Sequence, residues 1–114
     1  MKIDNCSAVV TGGASGLGAT TARLLSKAGA RVALLDLNNE AGHALADETN
    51  GHFVNVNVTN EQSVADALDE VGKVVGHSRI LVNCAGIGTP QRAVGRDGQA
   101  ATLSDFGKII EVNL

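Results

Sequence analysis

The eight residues TGGASGLG, at positions 11–18, hold four glycines between an apolar run and a helical pattern. The run before them, SAVVT (Ser7–Thr11), is short, β-branched and apolar, as a buried strand is. After them Leu17, Thr21, Leu24, Leu25 and Ala28 recur on one face of a helix. Strand, glycine loop and helix thus follow one another within about two dozen residues. The pattern then repeats along the chain.

RVALLD (Arg31–Asp36) reads as an interior parallel strand, apolar on both faces. Ala41, Ala44 and Leu45 form a weaker helical stripe. HFVNVNV (residues 52–58) alternates valine with asparagine, which wets one face and suits a sheet edge. Val64, Leu68, Val71 and Val75 make a stronger stripe, opened by Thr59 and Gln62 as a capping box. RILVN (residues 79–83) reads as another buried strand. Residues 86–101 carry the only proline and four glycines and read as a loop. Thr102 with Asp105 starts a last helix, whose face carries Phe106, Ile109, Ile110 and Asn113.

Strands alternating with helices predict an α/β fold, a Rossmann-type doubly wound parallel sheet with right-handed crossovers. The strand order expected of the first half of such a sheet is 3-2-1-4. This order places the asparagine-striped strand at one edge. It leaves the fourth strand, apolar on both faces, open at the other, and such an edge is an association liability. The 114 residues therefore read as the N-terminal part of a single dinucleotide-binding domain.

Composition narrows the function. With 44% apolar and 18% charged residues and a net charge of −3, the chain has the make-up of a soluble globular protein. No basic run of five or more is present, which argues against a nucleic-acid surface. The opening MKIDNC is neither a signal nor a transit peptide, and no membrane segment follows. Two cysteines, Cys6 and Cys84, do not make a disulfide framework. They are expected at opposite ends of strands spanning ~15–20 Å, against the ~6 Å a bridge needs. A cytoplasmic location is the expectation. His43, His52 and His77 have no spacing of a metal site and offer Cys84 no nucleophile's partner, so Cys84 is read as a packing residue.

The loop context is that of a phosphate cradle. Gly12 allows a tight turn off the strand, Gly16 allows backbone N–H groups near a pyrophosphate, and Gly18 allows close helix packing. The helix N-terminus supplies partial positive charge, and Ser15 adds a hydroxyl. Asp36 ends the second strand, 18 residues beyond Gly18, where an acid binds the adenosine ribose. Its charge repels a 2′-phosphate, and neither Ser15 nor Leu37 balances it, so the expected cofactor is NAD. At positions 83–86, NCAG ends the fourth strand with small residues that leave room for a ligand.

With these residues in view, the chain resembles the short-chain dehydrogenases/reductases. TGGASGLG is similar to their TGxxxGxG loop, NCAG to their NNAG, and IIEVNL to the helix before their fifth strand. Within the family, VTGGASGLG, LLDL, NCAGIG and LSDF…IIEVNL resemble most the type II 3-hydroxyacyl-CoA dehydrogenase branch. The resemblance implies that Ser15 and Leu17 touch the pyrophosphate and nicotinamide side and that Asp36 holds the ribose. It places Asn57 and Val58 at the adenine, where Asn57 stands for the family's Asp, and sets Cys84, Ala85 and Gly86 along the cofactor. Asn113 matches the Asn that holds a proton-relay water. The family's Tyr and Lys acid/base pair and its Ser have no counterpart here: there is no Tyr at all. The chain is thus expected to hold NAD and not to turn over by itself. A small acyl-CoA or steroid-like substrate and a homotetramer of the full-length protein are implied by resemblance alone. A finished, non-catalytic NAD-binding module is the alternative. A methyltransferase with a similar loop fits TGGASGLG, NCAG and VNL poorly.

Overall fold

The computed structural model describes residues 1–87, 94–100 and 102–114. Eight elements alternate along it: β1 (Ser7–Thr11), α1 (Gly16–Lys27), β2 (Arg31–Asp36), α2 (Asn39–Thr49), β3 (His52–Asn55), α3 (Glu61–Val74), β4 (Ser78–Asn83) and α4 (Leu103–Asn113). The four strands form one parallel sheet in the order β3-β2-β1-β4, as the alternation predicts. Part of the loop expected over residues 86–101 (residues 88–93 and 101) lies outside the described residues.

Because side chains alternate across a strand, β1 and β2 feed two cores. Ala8, Val10, Val32 and Leu34 face α1 and α2, while Val9, Ala33 and Leu35 face α3 through Ala67, Val71 and Val75. The Ser7 hydroxyl is buried among these strands and donates to the Val75 carbonyl. At the far edge β4 exposes Leu81 to 61%, the open apolar strand that the order requires.

Three local expectations change. The α1 stripe is rotated: Gly18, Ala19 and Ala22 are buried, while Leu17 and Leu24 face solvent. The cause is the glycine loop. Gly18 sits so close to the Gly12 carbonyl that small residues must form the contact with the sheet. On α2, Gly42, Leu45 and Ala46 are buried and Ala44 is exposed, because Phe53 of β3 lies directly against Gly42. The third helix starts one residue later than its capping box predicts. Asn57 Oδ1 accepts from the Thr59 N–H (3.0 Å) and hydroxyl (2.6 Å), which uses up Thr59. Asn60 then caps α3, accepting from the Ser63 N–H at 2.9 Å. Thr102 caps α4 as expected, accepting from the Asp105 N–H. Among the described residues no helix is long and apolar enough to cross a membrane.

Candidate functional site

Parallel strands bring their C-terminal ends to one side of the sheet, and the exits of β1, β2 and β4 enclose a cleft of about 400 Å³ there. The chain reverses its winding between β1 and β4, the position where open α/β sheets bind ligands.

Gly12 is held between the two neighbouring strands. Its N–H donates to the Leu35 carbonyl at 2.8 Å on the β2 side. On the β4 side an added Cβ would stand 2.6 Å from the Ala85 nitrogen, and φ is +63°. Only glycine fits both conditions. Thr11 ties the same two exits: its carbonyl accepts from the Cys84 N–H (3.0 Å) and its Oγ1 from the Ala85 N–H (3.3 Å). Gly16, at φ +55°, lines the cleft and has open space where a Cβ would be. Ser15 occupies the N-cap position of α1 but spends no side-chain bond on the helix, so its hydroxyl remains at the cleft. Leu17, 83% exposed, lies on the cleft wall.

Asp36 is the one charged residue lining the cleft among those described. Its carboxylate is fixed at both oxygens. Oδ2 accepts from the Ala14 N–H and Oδ1 from the Asn38 N–H, each at 3.1 Å. The acid is therefore clamped between the glycine loop and the start of α2, half-buried, at the cleft mouth.

The remaining residues singled out from the sequence divide. Val58, Cys84, Ala85 and Gly86 line the cleft beside Gly18. Cys84 is half-buried, unbridged, and packs against the core with Ile80 and Val82. Asn57 is exposed and off the lining, and both lone-pair sites of its amide oxygen are taken by Thr59. Asn113 lies just outside, in an adjoining hollow with Thr11 and Asn83. Its amide makes a paired bond to the main chain of Ile87, accepting from the N–H and donating to the carbonyl, both at 2.8 Å. This clasp secures the end of α4 to the segment after β4.

Sequence reasoning did not single out Val56, Ile87 and Val112, which also line the cleft, or weigh Leu37 as a wall residue. Each adjoins a flagged residue, and that adjacency was the available signal. Among the described residues no group of three or more His, Cys, Asp or Glu is placed to hold a metal. Off the cleft lining, a hydrogen bond to Glu48 and that residue's charge hold the exposed Arg23 guanidinium above its ordinary range.

The family profile described as short chain dehydrogenase matches residues 7–114. The chain belongs to that family. Among its relatives, the human (Homo sapiens) 3-hydroxyacyl-CoA dehydrogenase type-2 is 42% identical over 94% of this chain and 42% of its own length. Secoisolariciresinol dehydrogenase of Forsythia intermedia is 36% identical over 99% of this chain and 41% of its own. A solved structure named as ribose-5-phosphate isomerase from Brucella melitensis 16M superposes with a TM-score of 0.82 at 36% identity, covering 96% of this chain and 41% of that one. The chain thus spans about two-fifths of the length of the relatives it matches. Dehydrogenases of the family are oxidoreductases that generally use nicotinamide cofactors.

Proposed function

We propose that these 114 residues are the cofactor-holding part of a single dinucleotide-binding domain, in an NAD-dependent oxidoreductase that moves hydride between a secondary alcohol and NAD. The observation that carries the reading is Asp36, clamped at the cleft mouth with no cation beside it on the lining. A fixed carboxylate accepts bonds from the two hydroxyls of an adenosine ribose and repels a 2′-phosphate. The cradle fits the rest of the group. Gly12 and Gly18 leave no room for side chains, Gly16 lines the cleft, and the free N–H groups at the start of α1 with the Ser15 hydroxyl suit a pyrophosphate. The apolar Leu17, Val58 and Cys84–Gly86 segment flanks the rings. We assign the adenine rim to Val58 with Asn57 at its outer edge.

When bound, the nicotinamide supplies the hydride acceptor. The chain's own contribution is to bind and orient it and to keep water from its buried face. Asn113 stands at the proton-relay position the resemblance implies, and its paired amide bond to Ile87 holds that cleft residue in place. The family's acid/base Tyr has no counterpart in these residues. The chain alone is therefore expected to bind without turnover. A substrate of the 3-hydroxyacyl-CoA class follows the names of the 3-hydroxyacyl-CoA dehydrogenase relatives, while a hydroxysteroid-like substrate and a homotetramer of the full-length protein rest on the resemblance of the sequence motifs alone. The two unbridged cysteines accord with a reducing compartment such as the cytoplasm.

The test is calorimetric titration of the chain with NAD and with NADP. NAD should bind at least about tenfold more tightly, the scale of one charge-assisted hydrogen bond. Asp36→Asn should shrink that preference mainly by weakening NAD. Binding of NADP as tight as that of NAD by the unaltered chain overturns the assignment. The alternative reading is a non-catalytic NAD-binding module. Its mark is an intact mass from the source organism near 11.6 kDa, where a catalytic protein is about twice as large.

A further inference from the structure

The turn that carries Asp36 into α2 is exposed: Leu37 is 63% accessible, so packing does not fix its place. Polar ties fix it instead. Two are local, the Asn38 N–H on Asp36 and the Asn38 cap on the Ala41 N–H at 3.1 Å, and they move with the turn as one unit. The others come from β3 and the residue after it: the Val56 N–H donates to the Asp36 carbonyl at 3.0 Å and holds the main chain of Asp36 itself, and the residues beyond Asp36 are held by a side chain. Asn55, the last residue of β3 and the register partner of Asp36, donates through Nδ2 to the Leu37 carbonyl (3.0 Å) and to Asn39 Oδ1 (2.9 Å). One amide group therefore fastens the turn and the first residue of α2 to the sheet edge.

From this geometry we infer that Asn55 is a positioning residue for adenosine-ribose recognition: by fastening Leu37 and Asn39 to β3, it keeps the Asp36 carboxylate and the Leu37 wall aimed at the cleft. The inference rests on the proposed role of Asp36. Asn55 does not line the cleft, so it acts through the turn and not on the ligand. Opposite the turn, the Ala14 N–H holds the other Asp36 oxygen, and the carboxylate is stretched between the glycine loop and a turn that Asn55 secures. Without Asn55 the Leu37 carbonyl turns to water at little cost in folding, because the site is exposed. The orientation of the acid is what is lost.

The test uses Asn55→Ala and the near-isosteric, uncharged Asn55→Leu, neither of which can donate to the Leu37 carbonyl. Binding of ADP-ribose and of its 2′-phosphorylated form is measured by calorimetry, with thermal melts of each variant alongside. Both variants should lose about three- to tenfold in ADP-ribose affinity, equivalent to one hydrogen bond. Affinity for the 2′-phosphorylated form should change by less than about twofold, since that ligand already forgoes the Asp36 contact. The ratio is the informative quantity, because general loosening of the fold weakens both ligands alike. An unchanged ratio in variants of a chain that binds ADP-ribose overturns the inference and leaves the cofactor reading intact. Failure of the unaltered chain to prefer ADP-ribose overturns that reading, and the inference with it.

Discussion

Two glycines in one loop, Gly16 and Gly18, are required for different reasons, and their substitutions should separate accordingly. An added Cβ at Gly18 meets the Gly12 carbonyl, so Gly18→Ala forces α1 away from the loop. We expect about 2 kcal/mol of lost stability, the ordinary scale of overpacking, read by urea unfolding. Gly16 has free space but a left-handed backbone, so Gly16→Ala costs only about 1 kcal/mol. Its larger effect should be on dinucleotide affinity, since Gly16 lines the cleft. Both requirements were legible in the sequence, as was the place of Asp36 on the cleft, because backbone geometry and charge restrict which residue types can stand there. Asn57 was not legible in the same way. A side-chain amide serves a turn as readily as a ligand, and its turn bonds here depend on Thr59 two residues on. Asn55 escaped notice for a related reason: its partners, Leu37 and Asn39, belong to another element.

At the scale of elements, strand and helix positions followed from periodicity, as did the buried stripe of α3 apart from the exposed Leu68, but the buried faces of α1 and α2 did not. The leucines of α1 give the stronger apolar stripe, yet alanines and glycine make the contact, because the approach distance is set at the loop and not along the helix. β3 ends at Asn55, short of its valine–asparagine alternation, and Val56 turns into the core against α3. Helix α3 offers a direct test of propensity. Gly72 lies inside it with nothing within reach of an added methyl and no positive φ. Gly72→Ala should therefore stabilise the chain by about 0.8 kcal/mol, seen as a higher denaturant midpoint with unchanged slope. Helix α4 is the opposite case. None of its described residues is buried, and the Asn113 clasp on Ile87 is its defined polar attachment to the sheet. Asn113→Ala should leave α1–α3 unaffected while amide exchange at Ile87 and along α4 accelerates at least tenfold.

The whole molecule is long for its size. Its radius of gyration is 16.3 Å, against about 13 Å for a compact chain of this length. No described residue after Ala85 is buried, and β4 presents unpaired backbone together with Leu81 along one side. Such an edge invites pairing with another strand. Sedimentation of the chain should show concentration-dependent association, and Leu81→Lys should reduce it. Strand order was readable because connections between parallel strands obey few rules, whereas the clamps that set the cleft join residues far apart and leave no pattern in the sequence. That separation has a kinetic corollary. The cleft is closed on one side by residues just after β1 and on the other by residues just after β4, and Thr11 and Ala85 meet across 74 positions. Closing so wide a loop is slow compared with pairing β1 to β2 across the single helix α1. During refolding, helical circular dichroism should recover first, and the capacity to take up a ligand should appear only when the last strand arrives.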